Sequence, residues 1–419
     1  MINLQHLLLY IDPGTGGMLL TVILGVLTTA IFVVRGIMIK FKVAVHNGDM
    51  KEANKNKIPL VIYSDHKRYW NIFKPICDEC EKREFEMQYW TQSEDDPALS
   101  EDYKYVKTVF IGEGNKGFAR LNLMNANICL STTPGLDVLQ WKRSKNTDYY
   151  VHVYHTVGDC LGYRMFGLDY YDAIISANNL QRDAVRKLEE LRGTPAKEIC
   201  LVGSAYMDTM MEKASKLEKV HNEETTVLLA PSWGDSGTLS KFGAKLIKSL
   251  IDTGYNIIVR PHPQTMTAEK ELLDSLMNEF PETEKFHWNF DNDNFNVLNS
   301  ADIMISDFSG VIFDYAFIFD KPIIYTDVNY DTSPYDAAWI DEPMWMLKVL
   351  PSIGAKLEEK DFDNIKSLID ETIASDIYSE GRRTAKATAW HYQGESAVRS
   401  ADYLINKYYQ LTGQEKKAE

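Results

Sequence analysis

The stretch Ala301–Asp327, ADIMISDFSGVIFDYAFIFDKPIIYTD, decides the fold. Ala301 to Ile305 is apolar enough for a buried parallel strand, Val311 to Phe319 has the length and spacing of a short amphipathic helix, and Lys321 to Tyr325 starts a second strand. Between the first strand and the helix stands a serine-rich turn, with Ser309 where an N-cap belongs. A helix N-terminus carries unpaired amides and a positive dipole end, so Ser306, Asp307, Ser309 and the Gly310 amide form an expected cradle for a phosphoryl group. An ordinary capped helix after a strand is the structural alternative.

Working outward, Tyr255 to Val259 is a second apolar strand, followed by Arg260-Pro261-His262-Pro263. Two prolines hold an extended chain where strands of an open α/β sheet release their ligand-facing loops. Arg260 offers a forked cation for a diphosphate, and His262 offers a hydrogen bond or proton near neutral pH. Further upstream, apolar strands alternate with helical stretches at Leu60 to Tyr63, Val106 to Ile111, Ile128 to Leu130, Tyr149 to Tyr154 and Ala173 to Ser176. That alternation predicts parallel α/β sheets. About 375 of the 419 residues follow position 44, which suits two domains better than one.

Taken in order, Ala230-Pro231-Ser232-Trp233, Arg260-Pro261-His262-Pro263, Ile305 to Asp314 and Lys321-Pro322-Ile323-Ile324-Tyr325 resemble the CDP-glycerol glycerophosphotransferases of teichoic-acid synthesis. The resemblance implies two facing Rossmann-like domains in the GT-B arrangement. It also implies transfer of glycerol phosphate from CDP-glycerol to a hydroxyl of a lipid-linked acceptor, with CMP released and no cofactor. The family shows Trp-His-Gly followed by Pro and Lys on the acceptor side, whereas this chain reads Tyr154-His155-Thr156-Val157-Gly158-Asp159. Only the histidine carries over, so the resemblance makes His155 the general base, with His152 a less favoured candidate. The implied organisation is a membrane anchor over 1–44, an acceptor-side domain over 45–215, a donor domain over 216–385, and a closing helix and tail over 386–419. Two other readings stay open: a GT-B sugar transferase or nucleotide-sugar epimerase, and a catalytically inactive, membrane-tethered binding protein.

Gly16 to Val34 is an uncharged run of 19 residues, close to the roughly 20 that cross a bilayer core as a helix. Arg35, Lys40 and Lys42 follow it, which predicts a single-pass anchor in the cell membrane with cytoplasmic catalytic domains. A net charge of -15 argues against a nucleic-acid partner, since such binding rests on a basic face. Five scattered cysteines imply no disulfide framework. Cys77 and Cys80 have CxxC spacing but fall inside a helical stretch with no second pair, which favours packing over zinc. Asp307 and Asp314 are the remaining metal candidates, although Asp314 lies on the helix beyond the turn, and no metal is expected. Gly112 to Gly117 has the form of a dinucleotide fingerprint but sits in mid-domain. Gly114 and Lys116 are instead expected, with His66, among the acceptor-side loops.

Overall fold

The computed structural model describes Val26 and residues 57–159, 161–217, 222–326 and 328–415. The expected anchor, Gly16 to Val34, lies outside the described residues apart from Val26. No helix among the described residues is long and apolar enough to cross a membrane.

Among these residues, seven strands form a first sheet: β1 (Ile58–Ser64), β2 (Met87–Thr91), β3 (Val106–Phe110), β4 (Ala126–Ser131), β5 (Thr147–Val153), β6 (Ala173–Ser176) and β7 (Glu198–Leu201). Six more form a second: β8 (Thr226–Leu229), β9 (Asn256–Val259), β10 (Phe286–Trp288), β11 (Ile303–Ser306), β12 (Ile323–Thr326) and β13 (Ala355–Leu357). The first runs β3-β2-β1-β4-β5-β6-β7 and the second β10-β9-β8-β11-β12-β13, with each neighbouring pair parallel. Each sheet starts in its middle, winds to one edge, then jumps back and continues the other way. This is the Rossmann-like order, and it opens a crevice at the carboxyl ends of β1 and β4, and again at β8 and β11.

The strands are apolar on both faces because both faces are covered. Along β1, Leu60 and Ile62 enter one core cluster while Val61 and Tyr63 enter another. In β8, Leu228 faces one cluster and Val227 and Leu229 the opposite one. The helix Trp70–Lys82 buries Cys77 and Cys80 in the first of these cores, and burial pushes the Cys80 thiol up to about 12. Both cysteines are unpaired packing residues in this structure.

The closing region divides differently from expectation. The boundary at 385 and 386 falls inside the helix Ser379–Ala389, which is anchored to the second half by buried Arg382 reaching Asp320 and Asp376. Chain crossover comes afterwards, at Trp390 to Glu395, where the Asp208 carboxylate accepts from Trp390 Nε1 at 3.1 Å, Gly394 N at 2.8 Å and Ser396 N at 2.9 Å. The helix Ser396–Thr412 then returns to the first sheet, placing Ala401, Leu404 and Ile405 in the core with Leu60, Phe73 and Ile76. Residues from Ile58 onward thus pack as a single unit holding both sheets.

Candidate active site

Loops leaving the carboxyl ends of β1, β4 and β5 in the first sheet, and of β8, β9 and β11 in the second, line one cavity of about 680 Å³. That position follows from the strand order, because the crevice at each switch point faces the same space. Its size is in the range of small-molecule sites.

His155 stands just beyond β5, in a loop that the helix Asn179–Arg192 holds from beneath. Fully buried Gln181 donates through Nε2 to the carbonyls of Thr156 at 2.8 Å and Gly158 at 2.9 Å. Asn178, the N-cap of that helix, donates through Nδ2 to Val157 O at 2.7 Å and to Ala389 O at 2.6 Å. The two halves meet here: an added Cβ at Gly310 would lie 3.2 Å from Thr156 Oγ1. His155 Nδ1 is 3.2 Å from Thr132 Oγ1 and 3.3 Å from the Tyr163 hydroxyl. A proton on Nδ1 satisfies the Thr132 oxygen and leaves the ring lone pair on Nε2. His152 is fully buried below, with Nε2 3.2 Å from the Tyr163 hydroxyl, and does not line the cavity.

His262 comes from the opposite wall. Its Nδ1 accepts the Gln264 backbone N–H at 3.1 Å, so the neutral ring carries its proton on Nε2 as a donor. The Trp233 ring stacks on it at 6.3 Å between centroids. Burial pushes both His155 and His262 down to about 4, and the Arg68 guanidinium acts on each in the same direction. Both imidazoles are therefore neutral at physiological pH.

Of the expected phosphate cradle, Ser309 and Gly310 line the cavity. Ser306 and Asp307 do not. The Ser306 hydroxyl is fully buried at the end of β11 and donates to Ala230 O at 2.7 Å. Asp307 accepts from Ser232 N at 2.8 Å, Thr238 N at 3.0 Å, Thr238 Oγ1 at 2.9 Å and Ser309 N at 3.1 Å. Its carboxylate has no oxygen left to face a ligand; it ties the β8 loop to the β11 turn instead. Gly310, not Ser309, occupies the N-cap, without a side-chain cap, and the helix Val311–Asp314 continues as a π turn over Tyr315–Phe319.

Other expected residues lie elsewhere. The His66 ring caps the turn after β1, its Nδ1 accepting from Arg68 N at 3.2 Å, and does not line the cavity. Gly114 and Lys116 are exposed beyond β3, the edge strand of its sheet, two strands removed from the switch point at β1. Arg260 lines the cavity, but its Nη1 is held by Asn289 Oδ1 and its Nη2 donates to Asp291 O at 2.8 Å.

Asp65 and Arg68 line the cavity and escaped the sequence reading as site candidates, whereas Asp314 was weighed there only for metal. The first two enter from the turn after β1, a loop whose sequence drew attention only for His66. Asp314 lines the second-half wall, hydrogen-bonded to the Tyr206 hydroxyl at 3.2 Å and to Asn294 Nδ2 at 3.4 Å, and burial pushes its carboxyl up to about 7. Among the described residues no group of His, Cys, Asp and Glu is arranged to hold a metal ion.

A family profile described as CDP-glycerol:poly(glycerophosphate) glycerophosphotransferase matches residues 163–399, more than half of the chain. No curated protein sequence matches in a direct comparison. Among solved structures, the wall teichoic acid polymerase TagF soaked with CDPG superposes with a TM-score of 0.54 at 17% identity, over 86% of this chain and 92% of that one. The S. aureus MnaA–UDP structure gives 0.53 at 14% identity, over 86% and 99% of the two chains. A UDP-GlcNAc 2-epimerase from Neisseria meningitidis, bound to UDP-GlcNAc, gives 0.52 at 10% identity, over 83% and 99%. At these identities the likeness is one of fold.

Proposed function

The chain belongs to the CDP-glycerol:poly(glycerophosphate) glycerophosphotransferase family, and from that premise we propose that its cavity passes glycerol phosphate from CDP-glycerol to a hydroxyl of a lipid-linked cell-wall polymer. Such a transfer needs a donor for the diphosphate oxygens, a base for the acceptor proton and a path for CMP to leave. One observation carries the reading. His155 and His262, contributed by different sheets, line one cavity together with Ser309 and Gly310.

In this mechanism the His262 Nε2–H and the Gly310 amide hold the donor's phosphoryl oxygens. The acceptor hydroxyl oxygen attacks the β-phosphorus in line, and its proton passes to His155 Nε2. The bond from that phosphorus to the bridging oxygen breaks, and the electron pair leaves on the phosphate of CMP. Fixed donors in a site shielded from water stabilise the charge that builds on the transferring group. A bound diphosphate also raises the affinity of nearby imidazoles for protons, which strengthens a base that is weak in the free protein.

The same reading takes Gly16 to Val34 as a single-pass anchor and puts the catalytic halves on the cytoplasmic side, supported by Arg35, Lys40 and Lys42 after the run. Restriction to the bilayer surface raises the effective concentration of a lipid-linked acceptor. The test is CMP release by the detergent-solubilised full chain from CDP-glycerol, CDP-ribitol and UDP-GlcNAc, with bacterial membrane lipids as acceptor. CMP from CDP-glycerol, lost in H262A, is the expected result. Turnover of UDP-GlcNAc, with no CMP from either CDP-polyol, would replace this reading with the nucleotide-sugar one.

A further inference from the structure

Arg68 and Arg260 are the cationic side chains among the cavity-lining residues that stay charged at every physiological pH. A diphosphate bound in a chain of net charge -15 needs such a local charge. Arg260 is already engaged through both Nη groups, by Asn289 and Asp291. Arg68 is placed differently. Its Nε is a buried donor without a hydrogen-bond partner, and the carboxylate its charge acts on is that of Asp65, which lines the same wall. On the same wall Asp65 Oδ1 and Thr133 Oγ1 also lack a well-formed hydrogen bond, although the Thr133 hydroxyl is near enough to the Asp65 carboxyl to oppose the rise that burial causes in its proton affinity. Buried polar atoms are nearly always paired, so orphans gathered on one cavity wall mark a place where a polar ligand completes the hydrogen bonding.

The position of Arg68 is fixed by packing. Its guanidinium carbon lies 5.0 Å from the Tyr69 ring centroid, and that ring in turn lies 5.4 Å from the ring of His155. Of the charges around the site, Arg68 is the one felt by both His155 and His262, which come from opposite walls. Its charge therefore reaches both the proposed base and the imidazole proposed to hold the phosphoryl oxygens.

We propose that Arg68, supplied by the acceptor-side half, contacts the transferred phosphoryl group of the donor and is a catalytic residue of the reaction. This rests on the glycerophosphotransferase reading. It assigns the permanent positive charge of the site to the turn after β1, so that the phosphoryl group is charge-stabilised only when both halves close on it. Arg260 then serves to pin the Arg260–Pro263 turn against the β10 loop.

The experiment compares wild type, R68A and R68K for CMP release from CDP-glycerol with membrane lipids as acceptor, and for binding of CDP-glycerol and of CMP by calorimetry. CMP lacks the transferred phosphoryl group. In R68A, kcat is expected to fall about a hundredfold or more, the range seen when one charge-stabilising donor is removed. CMP affinity should stay within a few fold, R68K should recover part of the rate, and added guanidinium ion should recover part of the rate in R68A. A kcat within threefold of wild type overturns the proposal. So does an equal loss of CMP and CDP-glycerol affinity with a lowered Tm, which is the mark of a structural role, and so does an unchanged CDP-glycerol affinity with a raised KM for the lipid alone, which moves Arg68 to an acceptor phosphate. If wild type itself releases no CMP, the glycerophosphotransferase reading fails and takes this assignment with it.

Discussion

Asp314 lines the cavity as a carboxyl whose proton affinity is raised by burial to about 7 from the model-compound value of 3.8. In the unfolded chain that proton is gone above about pH 4, whereas the folded protein keeps it until about 7. Rising pH across this window therefore favours unfolding, at up to about 1.4 kcal/mol per pH unit. The contribution is fully present below the unfolded value and is lost as pH passes the folded one. D314N keeps an acceptor for Tyr206 and cannot ionise, so Tm scans between pH 4 and 7 should fall less steeply for the variant. An identical slope would mean that Asp314 is ionised in the folded protein. At this scale His262, Ser309 and Gly310 were legible as crevice positions because each follows a recognisable apolar strand, while His155 was singled out only by the family resemblance. The preference for Arg260 over Arg68 was not correctable from sequence. Which guanidinium is already engaged depends on Asn289 and Asp291, brought over by the loop after β10.

Gln181 shows how an element positions a site that it does not touch. Its side chain accepts from Ala177 N at 2.8 Å and donates to the Thr156 and Gly158 carbonyls on either side of Val157. Replacing it with alanine strands these buried groups, each at a cost of about 1–3 kcal/mol. Urea unfolding of Q181A should therefore show a loss of about 3 kcal/mol or more, accompanied by weaker CMP release as the His155 loop loosens; unchanged stability would show that the loop stands without this strut. The central strands were legible as continuous apolar runs, as in β1, β4 and β11. Strands β10 and β13 were not, being three residues long with one exposed residue each, too short to show a period. Nor was the π turn at Tyr315–Phe319, which depends on the packing of Tyr315, Ala316 and Phe317 in the second-half core rather than on local preference.

For the whole molecule, the last helix completes the first domain. Ala401, Leu404 and Ile405 fill the core formed by Leu60, Phe73 and Val151, and each buried leucine or isoleucine contributes about 1.5–3 kcal/mol. A domain holds only about 5–15 kcal/mol in all. Deleting residues 396–419 should leave the first half unfolded and the protein insoluble, while deleting only the residues after Gly413 should leave Tm unchanged. Soluble, cooperatively unfolding protein from the longer deletion would show that the first half folds without its closing helix. The amino-acid order by itself determined two parallel α/β sheets, the turn after β9 with its two prolines, and the family, because buried strands and constrained turns are written in contiguous residues. Tertiary structure alone decided which polar groups are free. Ser306, Asp307 and Arg260 are consumed by partners remote in sequence, and Arg68 is left facing the cavity, because hydrogen-bond satisfaction is settled between elements that only the folded sheets bring together.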